Sequence, residues 1–352
     1  MLIKNNICPS CSVGCGINLI TNEEKVVGTY PLKNHPINEG KNCFNGKNAY
    51  KSIYEKKFLN PLEPKGDNFT DLEWSSAIES ILEIINSNNE IGIISSGKLT
   101  NEENKAIADF CENKNISNTG FYCENFPKIE SVITNYDEIE NASFLLVIGD
   151  ILIENPLIGR RIIIAKDKGV EVYSTHCLKD SISSYNSDKY FDSIDDLSDE
   201  IKDKLDENSV ILFNVLDSKE DFEKISEIAK DAKVLGVLPD SNSKGAMDYF
   251  PPLNTDEIND LIDSVKVLII VGDDLDEISY DKLKNLDSLI YINSNLSKLS
   301  KISDYSLPIP SWGEKSGSFT NTLGKVQSFE KIIEPDENVF SVEEIFNKLL
   351  GK

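Results

Sequence analysis

Arginine is scarce in this sequence, which has only two, Arg160 and Arg161, among 352 residues. Arginine binds phosphate groups through paired hydrogen bonds that lysine does not reproduce, so the chain is poor in phosphate clamps. Basic residues number 36 and acidic residues 60, which gives a formal net charge of -24. Because such a surface repels phosphate backbones and anionic lipid, we exclude nucleic acid and anionic membranes as partners.

Long apolar runs are missing as well. No stretch approaches the roughly 18 residues of a membrane-spanning helix, so we expect no direct membrane insertion. Residues 1–7 are too polar for a signal peptide and lack a twin arginine, which indicates a cytoplasmic protein. The seven cysteines are odd in number and four of them cluster near the N-terminus, unlike a disulfide framework. In a reducing compartment such a cluster more often binds metal.

The charge is unevenly divided along the chain. Residues 1–52 contain six Lys and three Glu, a balance of +3, whereas the remaining residues carry -27. A hydrophobic content of 39% is sufficient for sizeable cores, and the length suits two or three domains. The sequence therefore predicts a basic N-terminal piece attached to an acidic globular body.

From about residue 74 onward, amphipathic helices alternate with short apolar strands. Residues 75–89 have helical spacing, and Thr100 to Glu103 fits a capping box at the start of the next helix. Unbroken apolar strands separated by helices predict parallel sheets covered on both faces. The strand candidates are 91–95, 144–149, 170–174, 210–216, 233–238, 266–272 and 288–293.

Two of these strands end in glycine, at Gly149 and Gly272. Ligands often bind at such positions in open α/β sheets, although a tight turn before a helix explains the glycines equally well. Residues 305–330 are rich in Gly, Ser and Pro and predict a looped segment with short strands. Residues 341–350 predict a helix with Ser341 as its N-cap.

The most specific motif is the cysteine pattern Cys8-x2-Cys11-x3-Cys15-x27-Cys43. Zinc sites more often use two separated cysteine pairs, whereas three ligands in one tight loop plus a distant fourth suit a [4Fe-4S] cluster. Zinc and purely structural thiols remain as alternatives. The cluster with its thiolates carries about two negative charges, which the local +3 would offset.

The flanks of these cysteines resemble the molybdopterin oxidoreductase family, and within it the catalytic (alpha) subunit of formate dehydrogenases. The resemblance begins with CPSCSVGCGINL at 8–19 and HPINEGKNCFNG at 35–46. It continues along nearly the whole chain, through Trp74-x2-Ala77, the segment 95–103, Asp137 to Ala142, Asn242-x2-Gly245, and finally Glu314-x2-Gly317-x3-Asn321-x2-Gly324-x2-Gln327.

This resemblance implies an α/β architecture: a small N-terminal [4Fe-4S] domain plus two Rossmann-like parallel-sheet domains, of the formate dehydrogenase/dimethylsulfoxide reductase domains 1-3 type. We expect residues 1–52 with 305–340 to form the cluster domain and residues 53–136 with 235–304 to form one α/β domain. Residues 137–234 would be an inserted α/β domain. In the family, the two α/β domains bind the halves of a bis-molybdopterin guanine dinucleotide, and a fourth, barrel domain caps it.

The sequence departs from the family at the molybdenum or tungsten ligand. The family pattern is roughly C-A-R-x-[CU]-H, and aligning Cys123 with its first cysteine puts Pro127 at the ligand position and Lys128 at the following histidine. A shifted alignment would make Cys123 itself the metal ligand, and otherwise Cys123 is a small buried core residue. The chain ends soon after Gln327, so we expect the barrel to be missing or supplied by another subunit.

Other cofactor positions also differ. The lysine that the family places two residues after its last cluster cysteine is Asn45 here, and Lys47 follows two residues later. The family's D-P-R segment is replaced around His176, which we interpret as a strand-end residue bonded to nearby backbone. From these changes and the shortage of arginine, we expect no molybdopterin guanine dinucleotide to be bound.

The leading hypothesis is therefore an iron-sulfur subunit of an oxidoreductase complex, in which Cys8, Cys11, Cys15 and Cys43 bind a [4Fe-4S] cluster that relays electrons. Its partners would be other redox subunits containing flavin or iron-sulfur centres. One alternative is a formate dehydrogenase-like enzyme with a Mo or W bis-pterin cofactor, completed by a separate barrel subunit. Another is a non-redox scaffold or assembly protein.

Overall fold

The computed structural model describes residues 2–66, 68–128, 133–197, 199–229 and 231–351. Its strands are β1 (Leu2–Ile7), β2 (Gly16–Asn22), β3 (Lys25–Pro31), β4 (Leu62–Lys65), β5 (Asn68–Asp71), β6 (Ile91–Ser95), β7 (Asn118–Tyr122), β8 (Phe144–Ile148), β9 (Glu171–Thr175), β10 (Lys189–Tyr190), β11 (Val210–Phe213), β12 (Lys233–Gly236), β13 (Pro252–Leu253), β14 (Val267–Val271), β15 (Ser288–Asn293), β16 (Tyr305–Pro308), β17 (Gly317–Thr320) and β18 (Val326–Phe329).

The α-helices lie between and after these strands. They are α1 (Phe44–Asn48), α2 (Trp74–Ser87), α3 (Asn101–Lys114), α4 (Asp137–Glu140), α5 (Ile151–Glu154), α6 (Pro156–Asp167), α7 (Ile182–Tyr185), α8 (Asp199–Lys202), α9 (Lys219–Ala229), α10 (Ser243–Ala246), α11 (Thr255–Asp263), α12 (Tyr280–Leu283) and α13 (Val342–Leu349). Short 3-10 turns cover Ala49–Ile53, Ile194–Asp196, Leu299–Lys301 and Trp312–Glu314. Among the described residues, no helix combines the length and apolarity that crossing a bilayer requires.

The largest sheet has eight strands in the order β13-β7-β6-β14-β15-β16-β4-β5. The strands from β13 to β16 in this order run parallel, and β4 and β5 join antiparallel at one edge. Every residue of β6 and of β14 is buried, as the unbroken apolar runs predict. Helices α2, α3 and α13 pack together beside this sheet, with Phe110 of α3 against Phe346 of α13.

A second sheet of five parallel strands has the order β10-β9-β8-β11-β12. It is formed entirely by residues 144–236, between β7 and β13 of the large sheet in chain order. The N-terminal strands form a separate antiparallel sheet, β1-β2-β3, and the hairpin β17-β18 packs against β1. The predicted α/β class with parallel sheets is confirmed.

Two strands lie at the predicted domain boundaries. Tyr305–Pro308, which begins at the boundary predicted at residue 305, pairs with β15 of the large sheet. Lys233–Gly236, which spans the boundary predicted after residue 234, pairs with β11 of the smaller sheet. In both cases a short apolar strand lies next to loop residues, and only its partner strand reveals the sheet to which it belongs.

Two predicted helix starts are confirmed in atomic detail. The Thr100 hydroxyl accepts a hydrogen bond from Glu103 N, and the Glu103 carboxylate accepts one from Thr100 N. Ser341 and Glu344 form the same capping box at the start of α13. Each box satisfies two backbone N–H groups that the first helical turn leaves without partners.

Both arginines connect the N-terminal piece to the inserted unit. Arg161 of α6 is only 3% exposed and bonds Glu39 at 2.8 Å, Asp137 at 2.8 Å and Glu140. Arg160 also pairs with Glu39. The two guanidinium groups therefore hold α6 against the cysteine-containing piece and are not free to bind phosphate.

Candidate metal centre

Three of the four N-terminal cysteines lie in the connection between β1 and β2. Cys8 directly follows β1, Cys15 directly precedes β2, and Cys8 N donates to Cys15 O at 2.9 Å. This bond closes the loop and places Cys11 at its tip. Cys43 is the N-cap of α1, and its sulfur accepts a hydrogen bond from Gly46 N at 3.4 Å.

The thiols of Cys8, Cys11, Cys15 and Cys43 line one common cavity, which we call the thiol cavity. None of the four is in a disulfide. The opposite wall comes from the inserted unit, where residues 154–157 span the end of α5 and the start of α6. The structure therefore brings together all four cysteines that the sequence pattern singles out.

The sulfur atoms are spread widely around this cavity. Within the described part of the chain, no three of them lie within 4.8 Å of one another. Tetrahedral zinc with Zn–S bonds of about 2.3 Å would bring its sulfur ligands to within roughly 3.8 Å. Any three of these sulfur atoms thus include a pair further apart than the ligands of one tetrahedral zinc ion, which favours a polynuclear centre.

Hydrogen bonds from three distant segments fix the loop between Cys8 and Cys15. Ser12 Oγ donates to Leu238 O at 2.7 Å, and Tyr136 OH donates to Val13 O at 3.0 Å. From the C-terminal hairpin, Thr322 N donates to Ser12 O at 2.8 Å and Gln327 Nε2 to Gly14 O at 3.0 Å. These contacts hold the loop backbone in place without using the sulfur atoms.

Two glycines in the loop are required by their surroundings. Gly14 has a φ of +79°, and a Cβ there would lie 2.1 Å from Gln327 Oε1. At Gly16, a Cβ would lie 2.3 Å from the ring of His35, whose Nδ1 accepts a hydrogen bond from Gly16 N. Larger side chains at either position would push the cysteine loop away from its supports.

Burial controls the protonation of these thiols. It raises the pKa of Cys8 and of Cys15, and together with the neighbouring Cys8 it raises the pKa of Cys11 to about 12. The thiols are therefore neutral at pH 7 when they hold no metal. Because metal and cluster ligands are thiolates, loading the cavity releases protons.

The lysines near the cavity differ from those of the body. Within the described chain, none of the six lysines in residues 1–52 forms an ion pair with a carboxylate, and five of the six are exposed. In the body, by contrast, lysines such as Lys98, Lys219 and Lys315 are paired. The N-terminal piece thus carries lysine charges that no ion pair with a carboxylate compensates within the described chain.

A second, larger cavity of about 510 Å³ adjoins the thiol cavity and shares Ser10 and Asn45 with it. It opens where β14, β15 and β16 end, as ligand sites in parallel sheets generally do. Gly272 lines this cavity, as do the polar residues Asn48, Lys51, Lys98, Asp274, Asn293, Ser294, Asn295, Ser311 and Lys315. Among the described residues that line it, none is a cysteine.

Two of the three lysines that line this large cavity form ion pairs with carboxylates of the same chain. Lys315 pairs with Glu103 at 2.6 Å, and Lys98 lies 3.4 Å from the buried Asp273. Of the three lysines that line this cavity, Lys51 alone has no ion pair within the described part of the chain. Sequence reasoning considered Lys47 as the substitute for the family lysine, but Lys51 is the one that lines the cavity.

Cys123 lies elsewhere. Its side chain is fully buried in the core beside the large sheet, and its backbone N donates to Leu253 O at 2.9 Å. It does not line the large cavity. Burial raises the pKa of its thiol well above the usual value. The hypothesis that Cys123 binds Mo or W stays a prediction, with no contact here that supports it.

The carboxyl edge of the smaller sheet is occupied by side chains that bond one another. Asn214 Nδ2 donates to Glu154 at 2.6 Å and to Asn155 at 2.9 Å. His176, in a left-handed conformation with φ +55°, bonds the carboxylate of Asp217 at 2.7 Å. The expectation that His176 bonds nearby backbone is therefore wrong. The imidazole ring instead bonds the carboxylate of Asp217, which lies in the connection after β11.

Sequence comparison defines the class of this protein. Residues 1–55 match the molybdopterin oxidoreductase Fe4S4 domain, and residues 203–351 match the molybdopterin oxidoreductase domain. The chain belongs to the molybdopterin oxidoreductase family, and the predicted resemblance is confirmed.

Its relatives are formate dehydrogenase subunits. It is 28% identical to the F420-dependent formate dehydrogenase subunit alpha of Methanocaldococcus jannaschii, over 99% of this chain and 70% of that protein. It is 30% identical to F420-dependent formate dehydrogenase 1 subunit alpha of Methanococcus maripaludis, over 48% of this chain but only 27% of that protein. The first alignment runs over 473 positions, more than the 352 residues present here, so parts of that relative face gaps in this chain.

Solved structures confirm the fold. Acetylene hydratase from Pelobacter acetylenicus superposes with a TM-score of 0.69, covering 99% of this chain and 69% of that enzyme at 12% identity. At this identity the likeness concerns the fold alone. The chain is thus a formate dehydrogenase-like member of its family, with an Fe4S4 domain at its N-terminus.

Proposed function

We propose that this chain is an iron-sulfur subunit of an oxidoreductase complex and relays single electrons through one [4Fe-4S] cluster. Cys8, Cys11, Cys15 and Cys43 would supply the four thiolate ligands. The observation that carries the proposal is the thiol cavity, in which four free sulfur atoms face one enclosed volume. The cluster exchanges one electron at a time, and burial among backbone N–H groups tunes its potential.

The spacing of the sulfur atoms supports a cluster over zinc. A cubane presents four iron corners, each taking one thiolate, so its ligands stand further apart than those of one tetrahedral ion. The match of residues 1–55 to an Fe4S4 domain supports the same choice. The uncompensated lysines of residues 1–52 would offset the negative charge of the loaded site.

The proposal includes the loss of the molybdopterin site. Pro127 has no donor atom for Mo or W, and Cys123 is buried away from the large cavity. Both arginines are engaged with carboxylates, and two of the three lysines in the large cavity are paired. A polyanionic dinucleotide would have to displace these partners to bind.

One observation favours a second candidate function. The large cavity lies directly beside the thiol cavity, at a sheet edge suited to a ligand, and residues 203–351 match a molybdopterin oxidoreductase domain. These features support a formate dehydrogenase-like enzyme that binds a Mo or W bis-pterin and is completed by a separate barrel subunit. In that enzyme Cys123, or a serine of the cavity wall, would have to become the metal ligand.

Metal analysis of anaerobically purified protein separates the two functions. We expect about four iron atoms per chain, an EPR signal on reduction with dithionite, and no stoichiometric Mo, W or extractable pterin. Stoichiometric Mo or W with pterin would establish the second function instead. A protein that reconstitutes to under one iron per chain, or that holds zinc, would rule out the electron relay.

Matched cysteine variants assign the ligands. Cys8→Ser and Cys43→Ser should lose most of the iron, whereas Cys111→Ser, a buried thiol outside the thiol cavity, should keep it. Both ligand variants should also stop electron flow in the assembled complex. If Cys8→Ser leaves assembly and electron flow intact, the chain is a scaffold rather than a relay.

A further inference from the structure

We infer that the surface around Cys43 is the docking site of a small acidic electron-carrier protein of the ferredoxin class. The inference rests on the proposed function, because it names the partner that exchanges electrons with the cluster. We call this surface the lysine face and define it by Val27, Lys41, Phe44 and Lys47. Its evidence is the exposure, the charge and the position of these four residues.

Phe44 is the first observation. It directly follows Cys43 at the start of α1 and is 81% exposed, the highest value among the large hydrophobic residues of the described chain. Helix α1 packs on β3, where Thr29 Oγ donates to Gly46 O at 2.8 Å, and Val27 of the same strand is half exposed. Aromatic rings that stay exposed on a folded surface are enriched at protein interfaces.

The second observation is the charge around this ring. Lys41 and Lys47 lie two residues before and four residues after Cys43, and both are exposed. Within the described chain neither forms an ion pair, whereas about half of the lysines in the body do. Complementary charge steers encounter and fixes orientation more than it adds affinity, as transient electron transfer requires.

The third observation is the position of the cluster. Cys43 and Cys11 are partly buried, whereas Cys8 and Cys15 are buried, so the cavity comes nearest the surface beside Cys43 and Cys11, and of these two it is Cys43 that lies between Lys41 and Lys47. A carrier seated on the lysine face would place its own redox centre opposite this ligand. One electron then passes from the reduced carrier to the oxidised cluster, which leaves the carrier oxidised by one and the cluster reduced by one.

The net charge of -24 does not prevent this contact, because charges further than about 8–10 Å apart are largely screened at physiological salt. A second copy of this chain could also offer an acidic surface. It would bring no second redox centre to Cys43, however, and a contact between two different surfaces of one molecule builds open assemblies rather than closed ones. The small, mixed polar and apolar patch suits a transient partner.

The test is stopped-flow reduction of the cluster by a reduced acidic [2Fe-2S] ferredoxin of the plant type. We expect the second-order rate constant to fall about tenfold between low salt and about 300 mM NaCl. At low salt, the double variant Lys41→Glu/Lys47→Glu should react at least tenfold more slowly. Phe44→Ala should lower the rate several-fold while the salt dependence persists.

Two control variants lie on the inserted unit. Lys179→Glu changes an exposed lysine, and Tyr185→Ala removes an aromatic ring that is 72% exposed. Both should react at the wild-type rate. All variants should give the wild-type EPR signal with dithionite, which shows that the cluster and the fold are intact.

A rate that is independent of salt, or unchanged in Lys41→Glu/Lys47→Glu, would overturn the inference while a dithionite-reducible cluster leaves the electron relay standing. Absence of any reducible cluster would instead remove the proposed function. Sedimentation velocity without ferredoxin tests the other occupant. Self-association that the double lysine variant abolishes would assign the lysine face to a second copy and overturn the ferredoxin partner.

Discussion

The thiol cavity and the large cavity share a wall at Ser10 and Asn45 but differ in how their polar groups are used. In the thiol cavity, four free sulfur atoms face the same volume, and the supporting hydrogen bonds are made by the loop backbone. In the large cavity, Lys98 and Lys315 are already bonded to carboxylates. The first site keeps its donors for a ligand, whereas the second uses two of its three cations within the protein itself.

This contrast indicates which of the two cavities is better prepared to bind a ligand. A ligand gains most where the protein groups are positioned yet unsatisfied before it arrives. Backbone bonds to Leu238, Thr322 and Gln327 give the thiol cavity that preorganisation. The large cavity has the place of a cofactor site, at a parallel sheet edge, without the free charge that a polyanion needs.

The largest effect should come from breaking the wall of the thiol cavity. Arg161→Leu removes a buried guanidinium that holds α6 against the N-terminal piece and leaves Glu140 with only the longer contacts to Arg160 at 3.8 Å and Lys168 at 3.7 Å. We expect the free energy of unfolding to fall by about 3–5 kcal/mol, measured by denaturant titration. Arg160→Leu, at a more exposed position, should cost about 1 kcal/mol or less. Equal effects of the two variants would contradict the special role of Arg161.

Iron removal should separate the two cavities next. Stripping the iron with a chelator should raise the rate of amide hydrogen exchange about a hundredfold in residues 8–15 and 43–46, because the proposed cluster joins these two segments. Exchange in β14 and β15 of the large sheet should stay unchanged. Equal increases in both regions would show that the cluster stabilises the whole chain and that the two cavities respond as one.

Asp240 offers a pH test of the charge near the large cavity. Burial raises its pKa to about 6, and the neighbouring Asp273 acts in the same direction against the pull of Lys98. A carboxyl group whose pKa is raised in the folded chain lowers the free energy of unfolding when it ionises. The free energy of unfolding of wild type therefore falls as the pH rises from about 4 to 6. The Asp240→Asn variant avoids this loss of stability because asparagine does not ionise.

The free energy of unfolding of this variant, relative to wild type, should therefore grow by about 2 kcal/mol between pH 4 and pH 7. Thermal unfolding of the two proteins across this pH range gives the comparison. A constant difference between them would mean that Asp240 ionises as readily in the folded chain as in the unfolded chain.

The smallest effect concerns the paired lysines themselves. Asp273→Asn with Glu103→Gln should free Lys98 and Lys315, and the amide oxygen introduced at position 103 can still complete the capping box. We expect the affinity for inorganic pyrophosphate to rise about tenfold, or about 1.4 kcal/mol, by isothermal titration. Lys266 and Glu90 form an ion pair remote from the cavity, and Glu90→Gln should change nothing. No gain in the double variant would show that pairing does not limit anion binding.

The sequence predicts the grouping of the four cysteines and the strands β6, β8, β9, β11, β12, β14 and β15, because their signals are local. A fixed cysteine spacing, an apolar run or a capping box needs only neighbouring residues. The role of Lys51 was missed although a signal existed. Asn45, Asn48 and Lys51 recur every third residue after Cys43, which places them on one face of the helical turns that begin there.

Other features depend on contacts that no local pattern contains. The wall formed by residues 154–157 lies more than a hundred positions from the cysteines that it faces. The bond between His176 and Asp217 joins two strand connections whose adjacency follows only from the sheet order. The pairing of β16 with β15 depends on the same kind of distant contact, since a four-residue strand is recognised by its partner.

The hydrogen bonds that fix the cysteine loop also set a time for its completion. The carbonyl groups of Ser12 and Gly14 accept hydrogen bonds from Thr322 and Gln327, which a ribosome adds more than three hundred residues later. Contacts of such long sequence separation form late in folding. A nascent chain therefore carries its cysteines without these supports until residues 322–327 have been added.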